Sequence, residues 1–396
     1  HGEPLASSNL VSGYLSARGY SRRAFLKQCI CMASLLGLPT GAAGLMASRL
    51  GSRPRQPIVW LSFQECTGCT ESLTRSSSPS IETLIFDFYS LDYHHTLQAA
   101  SGAAAEAARL ETVAQGGYLL VVDGSVPRAH DGCCSTIAGH SNLEMLAQSI
   151  ANAQAVIAVG SCAAFGGLPG AAPNPTGAVS VEQLMDDGRI RRHPLVNLPG
   201  CPPLPEAIAA TLAHYVTFGR FPALDALHRP TAIYGNTVHD RCPRIGFFYA
   251  GKFAKSFDDE GARKGWCLYE LGCKGPVTHN ACSTLKWNAG TSSPIDSGHP
   301  CIGCSEPGFW DTPGLYRPLA TPTEMDATAR SEAAQRGQAL FEDKCVYCHE
   351  PGGTDLPRDV DSLPGAYAQH GGRAHRVQLD EREWADLVEY LRGESR

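Results

Sequence analysis

The stretch Pro57-Ile-Val-Trp-Leu-Ser-Phe-Gln-Glu65-Cys66-Thr-Gly-Cys69-Thr-Glu71-Ser72 constrains the fold more than any other. Its apolar run, Ile58 to Phe63, reads as a short buried strand. The run ends in a tight Cys-x-x-Cys loop that opens a helix, and ligands of open α/β sheets sit at such strand ends. The design recurs twice, where Ala155 to Val159 leads into Gly160-Ser161-Cys162 and Leu195 to Leu198 into Pro199-Gly200-Cys201-Pro202-Pro203. Three strand ends would then deliver four thiolates to one place, which is what a four-iron cluster needs. Alone, the Cys-x-x-Cys would read as well as a redox or zinc motif. The two companion loops reduce that to the lesser alternative.

At 396 residues the chain is too long for one ordinary domain, so two or three are expected. A net charge of -6 with 18% charged residues describes a soluble globular protein. Its cations are scattered and no basic stretch carries interleaved aromatics, which excludes nucleic acid as an expected partner. Sixteen cysteines exceed what packing requires. They fall in short loops beside Gly, Pro and His, where disulfides would be strained or local, so metals are the preferred explanation.

Residues 1–50 read as an export segment. Ser21-Arg22-Arg23-Ala24-Phe25-Leu26-Lys27 matches the twin-arginine signal, followed by a moderately apolar run from Gln28 to Pro39 and small residues from Gly41 to Ala47. That run is too short to span a bilayer stably. Cleavage is expected between about Gly41 and Arg55, taking Cys29 and Cys31 with it, and the native start is expected upstream of His1.

From Pro57 to about Arg229 strand-like runs alternate with helical patterns: Thr83 to Tyr89, an Ala-rich helix from Ala103 to Gln115, Tyr118 to Asp123, then Asn142 to Ala153. Such alternation predicts βαβ units on a mostly parallel sheet with helices on both faces. No Gly-x-Gly-x-x-Gly fingerprint or phosphate loop points to a nucleotide. Cys133 and Cys134 fit no ligand set and stay unassigned.

Beyond about Pro230 turns multiply, as expected where clusters replace an apolar core. His239-Asp-Arg-Cys242 with Cys267 and Cys273 offers one imidazole and three thiolates, enough for a four-iron cluster. A lone histidine is more often an ordinary surface or core residue. Cys282 with His299-Pro-Cys301-Ile-Gly-Cys304 offers only three thiolates, which suits a three-iron cluster. Structural zinc is the alternative for each set taken singly.

These motifs resemble the small subunit of nickel-iron hydrogenases. The loops Glu-Cys-Thr-Gly-Cys-Thr-Glu-Ser, Gly-Ser-Cys-Ala and Pro-Gly-Cys-Pro-Pro carry the resemblance, which runs from about Pro57 to Pro313. It implies an α/β, flavodoxin-like domain over 57–229 holding a proximal 4Fe-4S cluster on Cys66, Cys69, Cys162 and Cys201. It implies an irregular iron-sulfur domain over 230–312, with a distal 4Fe-4S cluster on His239, Cys242, Cys267 and Cys273 and a medial 3Fe-4S cluster on Cys282, Cys301 and Cys304. Pro294 stands where relatives can carry a fourth medial cysteine, which supports three irons. The nickel-iron centre would belong only to a partner large subunit. Glu65 and Glu71 flank the proximal loop and are expected to be solvated or interface carboxylates. A complex I-like subunit would share the proximal fold but not the other two sets.

Relatives anchored in the membrane carry an apolar run after the Phe-Trp-Asp region; no such run follows Trp310. A linker at 313–327 leads instead into residues 328–396, where Cys345-Val-Tyr-Cys348-His349 is the c-type haem attachment pattern. A second helix follows from Asp380 to Leu391 with Trp384, Leu387, Val388 and Leu391 on one face. This appendage looks like a small all-α class I cytochrome c, with Gly337 and Phe341 placed to meet Tyr390. No methionine follows Cys348, so His370, slightly ahead of His375, is the expected sixth ligand, with a five-coordinate haem the alternative. The reading is the electron-transfer subunit of a periplasmic hydrogenase, passing electrons from H₂ through two 4Fe-4S clusters and one 3Fe-4S cluster to its own c-type haem. From there they would pass to a periplasmic or membrane cytochrome or quinone-linked acceptor. The alternatives are an exported noncatalytic iron-sulfur and haem adaptor, or a structural zinc protein.

Oxygen-tolerant relatives add two proximal cysteines where this chain has Gly68 and Gly167. The expected outcome is inactivation by oxygen; hydrogen oxidation sustained in air would contradict it.

Overall fold

The computed structural model describes residues 22–39, 41–52, 55–312, 314–319, 336–341 and 381–394. The haem-pattern residues Cys345, Cys348, His349, His370 and His375 lie outside these. The chain divides into two compact units, one ending at Leu319 and the other beginning at Ala320.

The first unit opens with two helices, α1 (Arg22–Leu35) and α2 (Ala42–Ser52). It continues through β1 (Gln56–Ser62), α3 (Gly68–Thr74), β2 (Tyr89–His94), α4 (Gly102–Gln115) and β3 (Leu119–Asp123). Then come α5 (Asn142–Ile150), β4 (Ala155–Val159), α6 (Gly160–Phe165), α7 (Val181–Asp186), β5 (Leu195–Leu198) and α8 (Pro205–Phe218). The five strands form one parallel sheet in the order β2-β1-β3-β4-β5, a doubly wound arrangement.

Period-two alternation divides the strand side chains between two cores. Ile58, Trp60, Leu119, Val121 and Ile157 join one with Leu204, Ile208 and Leu212 near and in α8. Val59, Leu61, Leu120, Val122 and Val156 join the other with Met145 and Leu146 of α5 and Leu184 of α7. Both faces are therefore buried, which is why β3 and β4 read as continuous apolar runs.

Three features depart from or extend the sequence reading. Thr83 to Tyr89 is not a strand: a turn at Ile81–Thr83 continues as a π-helix, Leu84–Phe88, and the edge strand is β2. The Ser80 hydroxyl accepts the Thr83 N–H and starts that turn, while Leu84 and Phe88 both bury on one side of it. Second, the described part of the expected export segment forms two packed helices. Phe25, Cys29, Met32, Leu36, Met46 and Leu50 are buried in the α8-side core, with Phe25 edge-on to Phe88 at 5.7 Å. Third, Arg109 of α4 is fully buried and shared by Glu106, Ser149 (2.7 Å) and Gln148 (3.1 Å), which ties α4 to α5.

From Arg229 to Leu319 the described chain holds only helices of three to five residues and isolated bridges. Its own described core cluster consists of Ala254, Leu268 and Leu271. Ile233 and Tyr234 join the α8-side core, Leu285 and Trp287 pack against it, and Phe248, Phe253 and Tyr269 meet edge to face or tilted. In the second unit, a helical turn at 336–341 crosses the helix Glu381–Glu394. Arg336 makes a bidentate pair with Asp386 (2.7 and 2.9 Å), and the Phe341 and Tyr390 rings lie 5.8 Å apart. A Cβ on Gly337 would lie 2.0 Å from the Asp386 carbonyl oxygen, so this crossing requires glycine. Among the described residues no helix is long and apolar enough to cross a membrane.

Arg109→Ala should destabilise the first unit by about 3 kcal/mol, because it strands the Glu106 carboxylate beside a buried void. Denaturant unfolding of wild type and variant checks this.

Candidate functional site

The sheet register positions the site. Ser62 pairs with Asp123, Asp123 with Val159, and Val159 with Leu198, so the carboxyl ends of four adjacent strands form one row. The loops bearing Cys66, Cys162 and Cys201 leave from that row, three or four residues beyond each strand end. They emerge beside the point where strand order reverses between β1 and β3, the usual place for a ligand crevice.

Backbone and hydroxyl groups lace the loops together. Thr67, in a left-handed conformation, turns the chain into α3. The Ser72 hydroxyl donates to the Pro203 carbonyl at 2.7 Å, joining α3 to the Pro-Gly-Cys-Pro-Pro loop. Ser161 N–H donates to the Gly200 carbonyl at 3.0 Å, while Gly200 N–H donates back to the Ser161 hydroxyl at 2.9 Å. The same hydroxyl donates to the Cys304 carbonyl, so one buried serine links the second, third and later cysteine loops. Close approach demands glycine here. A Cβ on Gly160 (φ +84°) would stand 2.4 Å from Cys69 Sγ, and one on Gly167 (φ +55°) would stand 2.7 Å from Cys162 Sγ.

Cys69 is buried, Cys162 half-buried, and Cys66 and Cys201 lie at the exposed rim. Burial, reinforced by Asp123, pushes the Cys69 thiol well above its ordinary value, and burial pushes Cys162 up to about 12. Asp123 was not foreseen as part of the site. It is fully buried at the end of β3, neither carboxylate oxygen has a full hydrogen bond among the described residues, and burial raises it to about 7. Thiols this desolvated favour ionisation only when a cation or metal compensates the charge.

A second group lines a cavity formed by His239, Cys242, Cys267 and Cys273 with Arg244, Tyr269 and Pro276. Gly275 N–H points at Cys273 Sγ and Arg244 N–H at Cys242 Sγ, both at 3.4 Å, the kind of amide-to-sulfur contact that stabilises thiolates. His239 stands edge-on to Phe248 at 4.6 Å, and burial lowers its pKa, favouring the neutral ring a metal needs. A third group, Cys282, Cys301 and Cys304, lines a cavity of about 600 Å³ with Pro294, Trp287 and His299, and Cys201 reaches the same space. Burial pushes Cys282 up to about 12 and Cys304 up to about 11. Arg229 anchors this group to the α/β layer through Asp225 (2.8 Å), the Ser305 carbonyl (3.2 Å) and Glu306 (3.0 Å).

All eleven cysteines and histidines expected as cluster ligands are therefore gathered at these three places. The donor set fits iron-sulfur chemistry: desolvated thiols, amides aimed at sulfur, and glycines where a Cβ would fill the cradle. Cys133 and Cys134 are exposed in a loop apart from these groups. Glu71 is paired with exposed Arg75, an ordinary surface role, whereas burial raises the half-buried Glu65.

A parallel α/β layer whose strand ends carry cysteine loops is thus joined to two cysteine-lined cavities in the irregular region. Residues 234–317 match the C-terminal region of NiFe and NiFeSe hydrogenase small subunits, and residues 66–215 match the 20 Kd subunit of NADH ubiquinone oxidoreductase. The uptake hydrogenase small subunit of Azotobacter vinelandii is 46% identical over 77% of this chain and 84% of its own length. The periplasmic NiFe hydrogenase small subunit 1 of Nitratidesulfovibrio vulgaris is 46% identical over 75% of this chain and 93% of its own. The solved reduced, active Ni-Fe-Se hydrogenase of Desulfomicrobium baculatum aligns with TM-score 0.63 and 33% identity, covering 67% of this chain and all of that one. The chain belongs to the small-subunit family of nickel-iron hydrogenases, the electron-transfer half of a heterodimeric enzyme completed by a large subunit.

Gly160→Ala should lose bound iron and sulfide that Gly188→Ala, at φ +65° with nothing within 4 Å, should keep. Strain of about 1–3 kcal/mol is common to both, so only the clash with Cys69 separates them. Iron and acid-labile sulfide content of the two purified variants decides the point.

Proposed function

We propose that this chain is the electron-transfer small subunit of a periplasmic nickel-iron hydrogenase oxidising H₂, exported through its twin-arginine segment and ending in a c-type cytochrome-like domain. In this reading residues 57–229 form a flavodoxin-like domain in which Cys66, Cys69, Cys162 and Cys201 hold a proximal 4Fe-4S cluster. Cys282, Cys301 and Cys304 hold a medial 3Fe-4S cluster, and His239, Cys242, Cys267 and Cys273 hold a distal 4Fe-4S cluster. Cys345 and Cys348 attach the haem, His349 ligates it, and His370 supplies the sixth ligand.

The bound clusters and haem supply one-electron carriers between the partner's H₂-splitting centre and an external cytochrome or quinone-linked acceptor. The residues of this chain do the rest. Gly160 and Gly167 let sulfur approach backbone, Ser161 clamps the proximal loops to the medial one, and Pro294 contributes no fourth medial thiolate. Burial around Cys69, Cys162, Cys282 and Cys304 excludes water from the sulfurs.

The observation that carries the proposal is the strand-end row that sends three cysteine loops to one crevice, continued by two further cysteine-lined cavities. Zinc is the weaker reading. The family matches over residues 66–215 and 234–317 support iron-sulfur clusters over isolated zinc ions. The periplasmic placement rests on the Arg22-Arg23 motif, on the c-type haem pattern and on the name of the Nitratidesulfovibrio relative. The Phe341–Tyr390 crossing supports the cytochrome-like reading of the C-terminal unit.

The test is purification with the co-isolating large subunit, followed by iron and sulfide analysis and optical and paramagnetic spectra under hydrogen. Hydrogen should reduce the clusters and then the haem. Bound zinc in place of iron, or haem that stays oxidised while the clusters reduce, would defeat the proposal in its cluster or haem part respectively.

A further inference from the structure

Lys274 is a buried cation that the ligand sets leave without a role. The residue is 2% exposed, and it lies in Cys273-Lys274-Gly275-Pro276, immediately after a proposed distal ligand. Its ammonium donates to the carbonyls of Gly272 (3.1 Å) and Arg317. Its own backbone N–H donates to the Cys301 carbonyl at 2.7 Å, which fixes the residue between the distal and medial cysteines. The stem runs beside Gly303, where an added Cβ would meet Lys274 Cβ at 3.5 Å and Cγ at 3.6 Å. Gly303 therefore leaves room for the lysine against the Cys301-Ile-Gly-Cys304 loop.

Carbonyl oxygens satisfy hydrogen-bonding needs but cannot neutralise a charge. Among the described residues Lys274 has no carboxylate partner within ion-pair distance, although a buried ammonium ordinarily requires one. The proposed ligands it is tied to are Cys273, its neighbour in the chain, and Cys301, whose carbonyl accepts its backbone N–H, one from each of two neighbouring ligand groups. Iron-sulfur cores bound by thiolates are anionic, and net charge around a core is one of the factors that set its potential.

We propose that Lys274 is the shared counter-ion of the medial and distal clusters and raises the reduction potentials of both. This rests on the cluster reading given above and assigns a residue that reading does not use. A fixed positive charge beside two cores favours an added electron on either one. The proximal group lies beyond the medial one and faces Asp123 instead. Lys274 would thus help draw electrons away from the proximal position toward the outer two. It is a positioning charge and binds no metal.

The experiment is a potentiometric titration of the purified heterodimer followed by paramagnetic resonance, comparing wild type with Lys274→Gln and Lys274→Arg. In Lys274→Gln both medial and distal potentials should fall while the proximal one holds. Electron partition between proximal and medial cores should shift toward the proximal by on the order of tenfold, the scale of one charge acting across several ångströms at an effective dielectric near 20. Lys274→Arg should restore most of the difference. Unchanged medial and distal potentials in an iron-replete Lys274→Gln sample would overturn the proposal. If the glutamine variant fails to assemble, Lys274→Met and Lys274→Arg decide: cores kept with arginine and lost with methionine support a charge role, and cores kept or lost equally in both overturn it. Iron and sulfide in the wild-type complex test the cluster reading separately, so its failure cannot be confused with that of Lys274.

Discussion

The parallel register of four strands is the constraint on which the site depends. Because Ser62, Asp123, Val159 and Leu198 pair across the sheet, their loops start level with one another and cannot drift apart without breaking ladder hydrogen bonds. Both faces of that sheet are covered, so a slip by one residue would turn every strand side chain into the wrong core. The cysteine loops inherit their mutual positions from apolar packing more than from any contact among themselves. Glycine then permits the final approach, with Gly160 giving Cys69 Sγ the space a side chain would take.

The region beyond Arg229 is organised differently. It lacks the layered core that would normally repay the entropy of ordering its loops, and its described apolar cluster is only three residues. Packing of Ile233, Tyr234, Leu285 and Trp287 on the α8-side core is joined by polar clamps, chiefly Arg229 on Asp225 and Glu306, Ser161 on Cys304, and Lys274 on Cys301 and Gly272. Desolvated thiols crowd this same region, which is costly in a metal-free chain. Iron bound by those thiolates would return that cost as folding free energy and would couple cluster insertion to folding of this part of the chain.

The N-terminal helices add a structural layer to a segment whose sequence reads as an export signal. Cys29 and Met46 are fully buried, and α1 with α2 cover the outer side of the α8 core. Apolar residues of the signal-like run, Cys29, Met32 and Leu36 among them, lie on the buried face of α1 and the turn after it.

Much of the α/β layer was legible in the chain itself. The runs Ile58 to Phe63, Tyr118 to Asp123, Ala155 to Val159 and Leu195 to Leu198 all lie on sheet strands to within a residue or two, because a doubly buried parallel strand leaves a continuous apolar signature. The cysteine motifs were legible for the same local reason, since a loop that brings sulfur against backbone must carry glycine at fixed offsets. Thr83 to Tyr89 misled because Leu84 and Phe88 satisfy an apolar run and a helical face alike, and only the neighbouring core selects between them. Asp123 and Lys274 stood in plain view beside the motifs, yet nothing local marks a carboxylate or an ammonium as buried. Burial belongs to residues far apart in sequence, and so the chain determined where its strands and sulfurs would be, while tertiary packing alone decided which charges would share their dry surroundings.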